Sequence, residues 1–308
     1  MKKVLVTGYT GFIGVNLTAY LKQQGLHVIG MGRSKPTGFT FDQYTYDELP
    51  GINNYDTVIH LAGKAHDLKN ARNADAYFEA NTHLTIRIFD EFIVSKAADF
   101  IYLSSVKAAA DTVEGILLET DTPAPLTPYG ISKLKAEEYL LSKKLPEGKR
   151  LFILRPCLVH GPGNKGNLNL LYQLVKKGVP YPLAAFNNKR SLLSIQNLLF
   201  IIQALLNNAT IKSGIYHVAD DEPLATNEMI DIMAEALQLK PRKWHFNPAL
   251  VNALALAGDK LHLPFNTTRL QKLTESYVVG NGKIKQAIGT KTLPVTAREG
   301  LLYTTLNL

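Results

Sequence analysis

Val4-Leu5-Val6-Thr7-Gly8-Tyr9-Thr10-Gly11-Phe12-Ile13-Gly14 decides how the rest of this chain is read. A short β-branched run ends in three glycines spaced three apart, and apolar residues at helical spacing follow (Phe12, Ile13, Leu17, Tyr20, Leu21). The pattern predicts a buried strand, a tight turn and a helix. Gly8 would make the turn, Gly11 would let a pyrophosphate approach the backbone, and Gly14 would let the helix pack closely on the sheet. The new helix would also offer its free N–H groups and positive dipole end to that anion. A glycine triplet can equally mark a turn that binds nothing, so the remaining sequence has to carry the reading.

Composition sets its bounds. The 308 residues, 46% hydrophobic and 19% charged, suffice for one large domain or a domain with a smaller lobe. The single cysteine, Cys157, excludes an internal disulfide framework and fits a reducing compartment. The first strand begins almost at Met1, leaving no room for a signal peptide. The most apolar C-terminal run, Ala249 to Ala257, falls far short of the about 20 residues a bilayer span needs. These features predict a cytoplasmic protein without membrane insertion. A net charge of +8 suits anionic ligands, but the lysines and arginines are scattered without interleaved aromatics. Nucleic acid is therefore not an expected partner.

After the glycine turn, Leu26 to Met31 reads as a second buried strand. A dinucleotide fold that prefers the unphosphorylated cofactor usually ends this strand in Asp or Glu, bonded to the ribose hydroxyls. Here Gly32-Arg33-Ser34 stand instead. A guanidinium can pair with a 2′-phosphate, so Arg33 favours NADP(H) and leaves NAD(H) possible. Residues 36–55 are turn-rich and carry no clear element. Asp56 to Gly63 predicts a buried strand whose small-residue exit, Ala62-Gly63, would let a cofactor lie against the backbone. His60 and His66 lack a third ligand at metal spacing, and no metal site is expected.

Residues 75–97 predict one long helix with Asn81 inside its apolar face, as a backbone brace or a support behind the site. A strand from Phe100 to Leu103 then delivers Ser104 and Ser105 to its C-terminal end, where open parallel sheets bind ligands. A long loop, Val106 to Pro128, leads to a helix capped by Thr127 with Pro128 in its first turn. Tyr129 and Lys133, four apart on that helix, share a face. An ammonium beside the phenol would lower its pKa and make Tyr129 an acid/base at neutral pH. Arg150 to Pro156 is a further buried strand, after which the βαβ rhythm breaks. One more strand appears at Gly214 to Val218, and short helices dominate from residue 220 onward.

Together these residues resemble the extended short-chain dehydrogenase/reductase (NAD-dependent epimerase/dehydratase) family, over essentially the whole length. The carriers are Gly8-Gly11-Gly14, Asp56 to Gly63, Leu103-Ser104-Ser105, Pro128-Tyr129-Gly130 with Ser132-Lys133, Leu154-Arg155-Pro156, Val159 to Gly163, and Arg190-Ser191. The resemblance implies an α/β fold: a Rossmann-type, doubly wound parallel sheet with a smaller, mostly helical C-terminal substrate lobe. The dinucleotide-binding domain would comprise residues 1–156 and 192–219, and the lobe residues 157–191 and 220–308. It further implies Ser105, Tyr129 and Lys133 as the catalytic set. Cofactor contacts would come from Gly8, Thr10, Gly11, Phe12, Ile13, Gly14, Arg33, Leu61, Ala62, Gly63, Asn81, Ser104, Tyr129, Lys133 and Pro156. Ser105, Asn167, Arg190 and Arg269 would hold a nucleotide-sugar substrate, and a homodimer is the implied assembly. Asn167 could equally cap the helix that follows, and Arg269 could be a solvated helix residue.

Departures from the family pattern narrow the reaction. Dehydratases of the family carry an acidic pair just after the catalytic hydroxyl, whereas Val106-Lys107 follow Ser105 here. The Gly32-Arg33 strand end departs from the acidic pattern of epimerases that retain NAD. His160 replaces a tyrosine often found before the Gly161-Pro162 turn, with no reading from sequence. The segment Gly161 to Asn197 looks most like a bacterial subgroup acting on UDP-sugars for surface polysaccharide. The expected reaction is hydride transfer at sugar C4, foremost the reduction of a 4-keto sugar. The alternatives are a UDP-hexose 4-epimerase with tightly bound NAD and a non-catalytic dinucleotide sensor.

Overall fold

The opening run forms β1 (Lys3–Thr7), and the pleat sends Val4 and Val6 into one apolar cluster and Leu5 into another. Burial on both faces is what a central parallel strand requires. The computed structural model describes residues 1–52, 54–64, 74–164, 166–261, 263 and 265–308. His66 and Lys165 lie outside these, and of Asn167 only the backbone is described.

The chain continues through α1 (Phe12–Gln23), β2 (His27–Gly32), β3 (Asp42–Thr45) and β4 (Thr57–His60). α2 (Ala74–Phe78) runs through a π-turn at Glu79–His83 into α3 (Leu84–Val94), and β5 (Asp99–Leu103) follows. Next come β6 (Ile116–Leu117), α4 (Pro128–Ser142), β7 (Arg150–Pro156), β8 (Leu158–His160) and α5 (Asn167–Lys176). β9 (Leu192–Ser194), α6 (Ile195–Asn207) and β10 (Gly214–Val218) precede α7 (Thr226–Ala236), α8 (Pro248–Lys260) and α9 (Thr267–Thr274). β11 (Val278–Val279), α10 (Gly282–Ile288) and α11 (Ala297–Leu306) end the chain.

Seven strands pair in parallel in the order β10-β7-β5-β4-β1-β2-β3, the Rossmann arrangement expected. Leu17, Leu21, Leu198 and Ile202 cover one face; Phe89, Phe92 and Leu140 cover the other. A separate cluster, including Tyr172, Met229, Met233 and Leu301, forms the core beneath the C-terminal helices.

Four features escaped the sequence reading. Residues 36–55 contain β3, a half-exposed edge strand without apolar alternation, and a 3₁₀ turn at Tyr46–Gly51. The long loop after β5 contains β6, which pairs with distant β11, and β8 likewise pairs with β9. Pairings of two or three residues leave no local periodicity to detect. The expected single helix over 75–97 is interrupted by the π-turn around Asn81. His160 is wholly buried: its Nδ1 meets Thr304 Oγ1 at 2.8 Å and its Nε2 lies 3.7 Å from Asp220, tying β8 to α11.

Candidate active site

The strand order reverses between β1 and β4, so the loops leaving these strands meet at the sheet's C-terminal edge. Gly8 has φ +66°, and a Cβ there would stand 2.8 Å from the Ala62 amide nitrogen. A Cβ on Gly14 would stand 2.3 Å from the Gly8 carbonyl oxygen, and one on Gly11 3.3 Å from the same atom. Gly11 is the N-cap of α1 and brings no side chain to the first-turn N–H groups of Phe12, Ile13 and Gly14. Two loops in backbone contact beside such a helix terminus fit the pyrophosphate of a dinucleotide.

A directed chain of hydrogen bonds braces this crevice. The parallel register sets Thr7 beside His60. The Ala62 N–H donates to Thr7 Oγ1 at 3.1 Å, and Thr7 Oγ1 and His60 Nδ1 are 2.7 Å apart. His60 Nε2 is 2.9 Å from Thr85 Oγ1, which donates to the Asn81 carbonyl at 2.7 Å. Because Thr85 donates onward, it accepts from His60, and the proton of the neutral ring is assigned to Nε2. The Asn81 amide, fully buried, accepts from the Lys64 N–H at 2.8 Å and donates to Ser132 Oγ at 3.0 Å. Ser132 donates in turn to the Tyr129 carbonyl at 2.8 Å. Asn81 is thus the brace between the turn after β4 and the helix carrying Tyr129, and the π-turn aims it there.

Burial pushes the His60 pKa from 6.5 down to about 3, with the Lys133 ammonium adding to the effect. The unfolded chain therefore binds more protons in this window, and stability is lost as pH falls from about 6.5 towards 3. His60→Gln removes that term. Between neutral pH and about pH 5, its unfolding free energy should fall by about 2 kcal/mol less than that of the wild type. Parallel stability profiles would exclude His60 as a source of the acid sensitivity.

β5 ends where Ser104 and Ser105 emerge, and both are buried. The Ser104 hydroxyl donates to Glu137, whose carboxylate is also paired with Arg155. Both charged groups are buried on α4 and β7. Ser104, expected against the cofactor, has its hydroxyl committed to this pair. Ser105 accepts from the Lys107 N–H at 3.2 Å and is hydrogen-bonded to the Tyr129 hydroxyl. Thr127 caps α4 by accepting from the Gly130 N–H at 3.3 Å, as expected.

Lys133 Nζ donates to the Leu103 carbonyl at 3.0 Å and lies 4.8 Å from the centre of the Tyr102 ring. Here the electrostatics differ from the sequence expectation. Burial raises the Tyr129 pKa, against the lowering effect of the Ser105 hydrogen bond. The Lys133 ammonium is turned to the β5 carbonyl, and burial brings its own pKa down to about 8.

On the opposite side, Lys107 donates to the Asp111 carbonyl at 2.8 Å and stands 4.0 Å above the Tyr277 ring. Burial lowers its pKa, against the nearby Asp111 and Glu275 charges, which raise it, and the Arg190 charge adds a smaller lowering effect. Arg190 donates to the Lys272 carbonyl, while its buried Nε has no partner among the described residues. Arg269 is exposed in the first turn of α9, one turn before Lys272. The α5 helix begins at Asn167 with Gly166 as its N-cap, so Asn167 is not the capping residue. Pro156 closes β7 at the same sheet edge. Arg33 is exposed just past β2, close enough to Tyr46 to lower that phenol's otherwise raised pKa. Glu48, an acid in this neighbourhood, is tied to Lys35 at 2.7 Å.

A sheet that reverses order beside a glycine-lined helix terminus, with Ser, Tyr and Lys at its edge, is the arrangement of the extended short-chain dehydrogenase/reductase fold, whose members include both reductases and epimerases. The model of the NAD dependent epimerase/dehydratase family matches residues 4–219, and the chain belongs to that family. It is 33% identical to a UDP-glucose 4-epimerase of Vibrio cholerae, over 98% of this chain and 94% of that one. It is 25% identical to a GDP-6-deoxy-D-mannose reductase of Pseudomonas aeruginosa, over 78% of this chain and 81% of that one. The structure of UDP-N-acetylglucosamine 4-epimerase from Bacillus cereus has the same fold, with a TM-score of 0.79 at 19% identity and 99% of both chains covered.

Proposed function

We propose that this enzyme reduces the 4-keto group of a nucleotide-diphosphate sugar, with UDP as the nucleotide and NADPH as the preferred reductant, in making surface polysaccharide precursors. The observation that carries this reading is the end of β2, where the exposed Arg33 follows Gly32 and the neighbouring Glu48 is already paired with Lys35. Such an end suits a 2′-phosphate and offers no carboxylate to a ribose diol. The second support is Tyr129. With its pKa raised, the phenol keeps its proton at neutral pH, which suits a proton donor to the sugar oxygen.

When bound, the nicotinamide would supply the hydride at C4. The glycine turn and the α1 terminus would hold the pyrophosphate, with Thr10, Leu61, Ala62, Gly63 and Pro156 around the cofactor. Lys133 would hold the nicotinamide ribose. Ser105 would hydrogen-bond the sugar O4, and Tyr129 would deliver its proton to the same oxygen. Arg190 has an unpartnered buried Nε to offer an anion, and Lys107 adds a second cation close by. With Asn167 and Arg269 they would take the diphosphate, between the sheet edge of residues 1–156 and 192–219 and the lobe of residues 157–191 and 220–308.

A second reading, UDP-hexose 4-epimerisation, is favoured by the 33% identity to the Vibrio cholerae epimerase along nearly the full length. An intact Ser105, Tyr129 and Lys133 argues against a non-catalytic sensor. The test is to denature freshly purified protein and identify any dinucleotide released. Stoichiometric NAD would overturn the reductase in favour of the epimerase, whose cycle must keep the hydride on the enzyme. Protein that releases none and then consumes NADPH with a UDP-4-keto-6-deoxy sugar would support the reductase. Arg33→Ala should weaken NADPH binding by about tenfold or more while sparing NADH, the size expected for a charge-assisted hydrogen bond. Equal losses for both cofactors would remove Arg33 from 2′-phosphate recognition.

A further inference from the structure

Helix α8 is built of residues that belong indoors. Between Pro248 and Gly258 its one polar side chain is Asn252, yet it buries only Val251, Ala255 and Gly258. Leu250 and Leu254, four apart on one face, are each 57% exposed, and Leu261, a further seven residues on, is 68% exposed. Trp244 and Phe246, packed edge to face at 5.7 Å, extend the apolar surface before the helix. A helix apolar on its solvent side is the exception in a water-soluble fold and marks an interaction surface.

The geometry of this surface is firm. A Cβ on Gly258 would stand 1.9 Å from the Phe265 carbonyl oxygen, so α8 and the turn into α9 are locked together. The Trp244 N–H donates to the Tyr181 carbonyl at 2.9 Å, which pins the aromatic pair to the lobe. The segment that carries this surface is cationic. From residue 239 to 273 the sequence has six basic side chains, Lys240, Arg242, Lys243, Lys260, Arg269 and Lys272, against one acid, Asp259. Lys243 is paired with Asp231; the others are exposed.

From this combination we infer that the α8 face docks on an anionic lipid bilayer, with Trp244, Phe246, Leu250 and Leu254 at the boundary of headgroups and acyl chains. Exposed aromatic and leucine side chains in a segment rich in exposed lysine and arginine are what such an interface selects, since apolar burial and attraction to anionic headgroups act together. A second copy of the chain fits poorly, because a two-fold contact would set this cationic segment against itself. No helix among the described residues is long and apolar enough to cross a membrane, so the contact is with one surface. The run Ala249 to Ala257, too short to span, is long enough to lie flat. Docking would hold the cleft near the membrane, because α9 follows α8 and its Lys272 carbonyl receives Arg190.

Trp244 is the one tryptophan in the chain and therefore its own reporter. The full-length protein is mixed with vesicles of phosphatidylcholine alone or with added phosphatidylglycerol, and its emission and co-sedimentation are followed. A blue shift and sedimentation with the anionic vesicles, both reduced by salt, are expected. Leu250→Glu combined with Leu254→Glu should lower partitioning by about tenfold or more, while Leu306→Glu, an exposed leucine on α11, should leave it unchanged. Both variants should melt like the wild type, because the replaced side chains are exposed. Absence of binding to anionic vesicles would overturn the inference. So would a lipid-free dimer, seen by sedimentation velocity, that the double variant dissociates.

Discussion

Replacing Tyr129 by phenylalanine should lower turnover by about a thousandfold, the loss expected when a positioned proton donor is removed. The fold should survive, because the ring stays beside Tyr77, 6.1 Å away, and only the oxygen is deleted. Cofactor affinity should stay close to that of the wild type, because the glycine turn and Lys133 are untouched. Measuring kcat and cofactor Kd together separates the roles: a drop in kcat alone fits a proton donor, and full activity would end the assignment. The direction of the Tyr129 pKa adds a further expectation. Activity in the reductive direction should hold through neutral pH and fall only on the alkaline side, where the raised phenol loses its proton.

Glu137→Leu should be the most damaging substitution to stability. The Glu137 and Arg155 side chains are each 1% exposed and bonded to one another, and Ser104 donates to the same carboxylate. Removing the acid leaves a guanidinium buried without a counter-charge, which costs about 3–5 kcal/mol. A chain of this size should show a melting temperature lower by about 10 °C. Replacing both partners, Glu137→Leu with Arg155→Met, should recover most of the loss, because no orphan charge remains. If the double variant melted no higher than the single one, burial of an unpaired charge would not be the cause. The pair joins α4 to β7, and the Ser104 hydroxyl at the end of β5 donates to the same carboxylate, so it also holds the strand end bearing Ser105 against the helix bearing Tyr129.

Much of this enzyme was legible in its residues. The β-branched run and glycines of residues 4–14 predicted the first strand, the turn and the helix. Each glycine proves to stand where a Cβ would meet backbone at 3.3 Å or less. The Ser-Ser strand end and the capped helix with Tyr129 and Lys133 were equally readable, because cap, turn and periodicity are local signals. The π-turn aiming Asn81 and the small pairings β6–β11 and β8–β9 were not, since each depends on partners remote in sequence.

His60 shows the boundary most clearly. As a residue it offered a weak metal reading; in the fold it passes a hydrogen-bond chain from Thr7 to Thr85 because parallel register brings the strands together. Tyr129 and Lys133 were correctly placed on one face by their spacing, but the sign of the phenol's pKa was not. Spacing along a helix determines which side chains are neighbours. Only the packed structure decides which are desolvated and where an ammonium turns, because burial and long-range partners are properties of the folded chain.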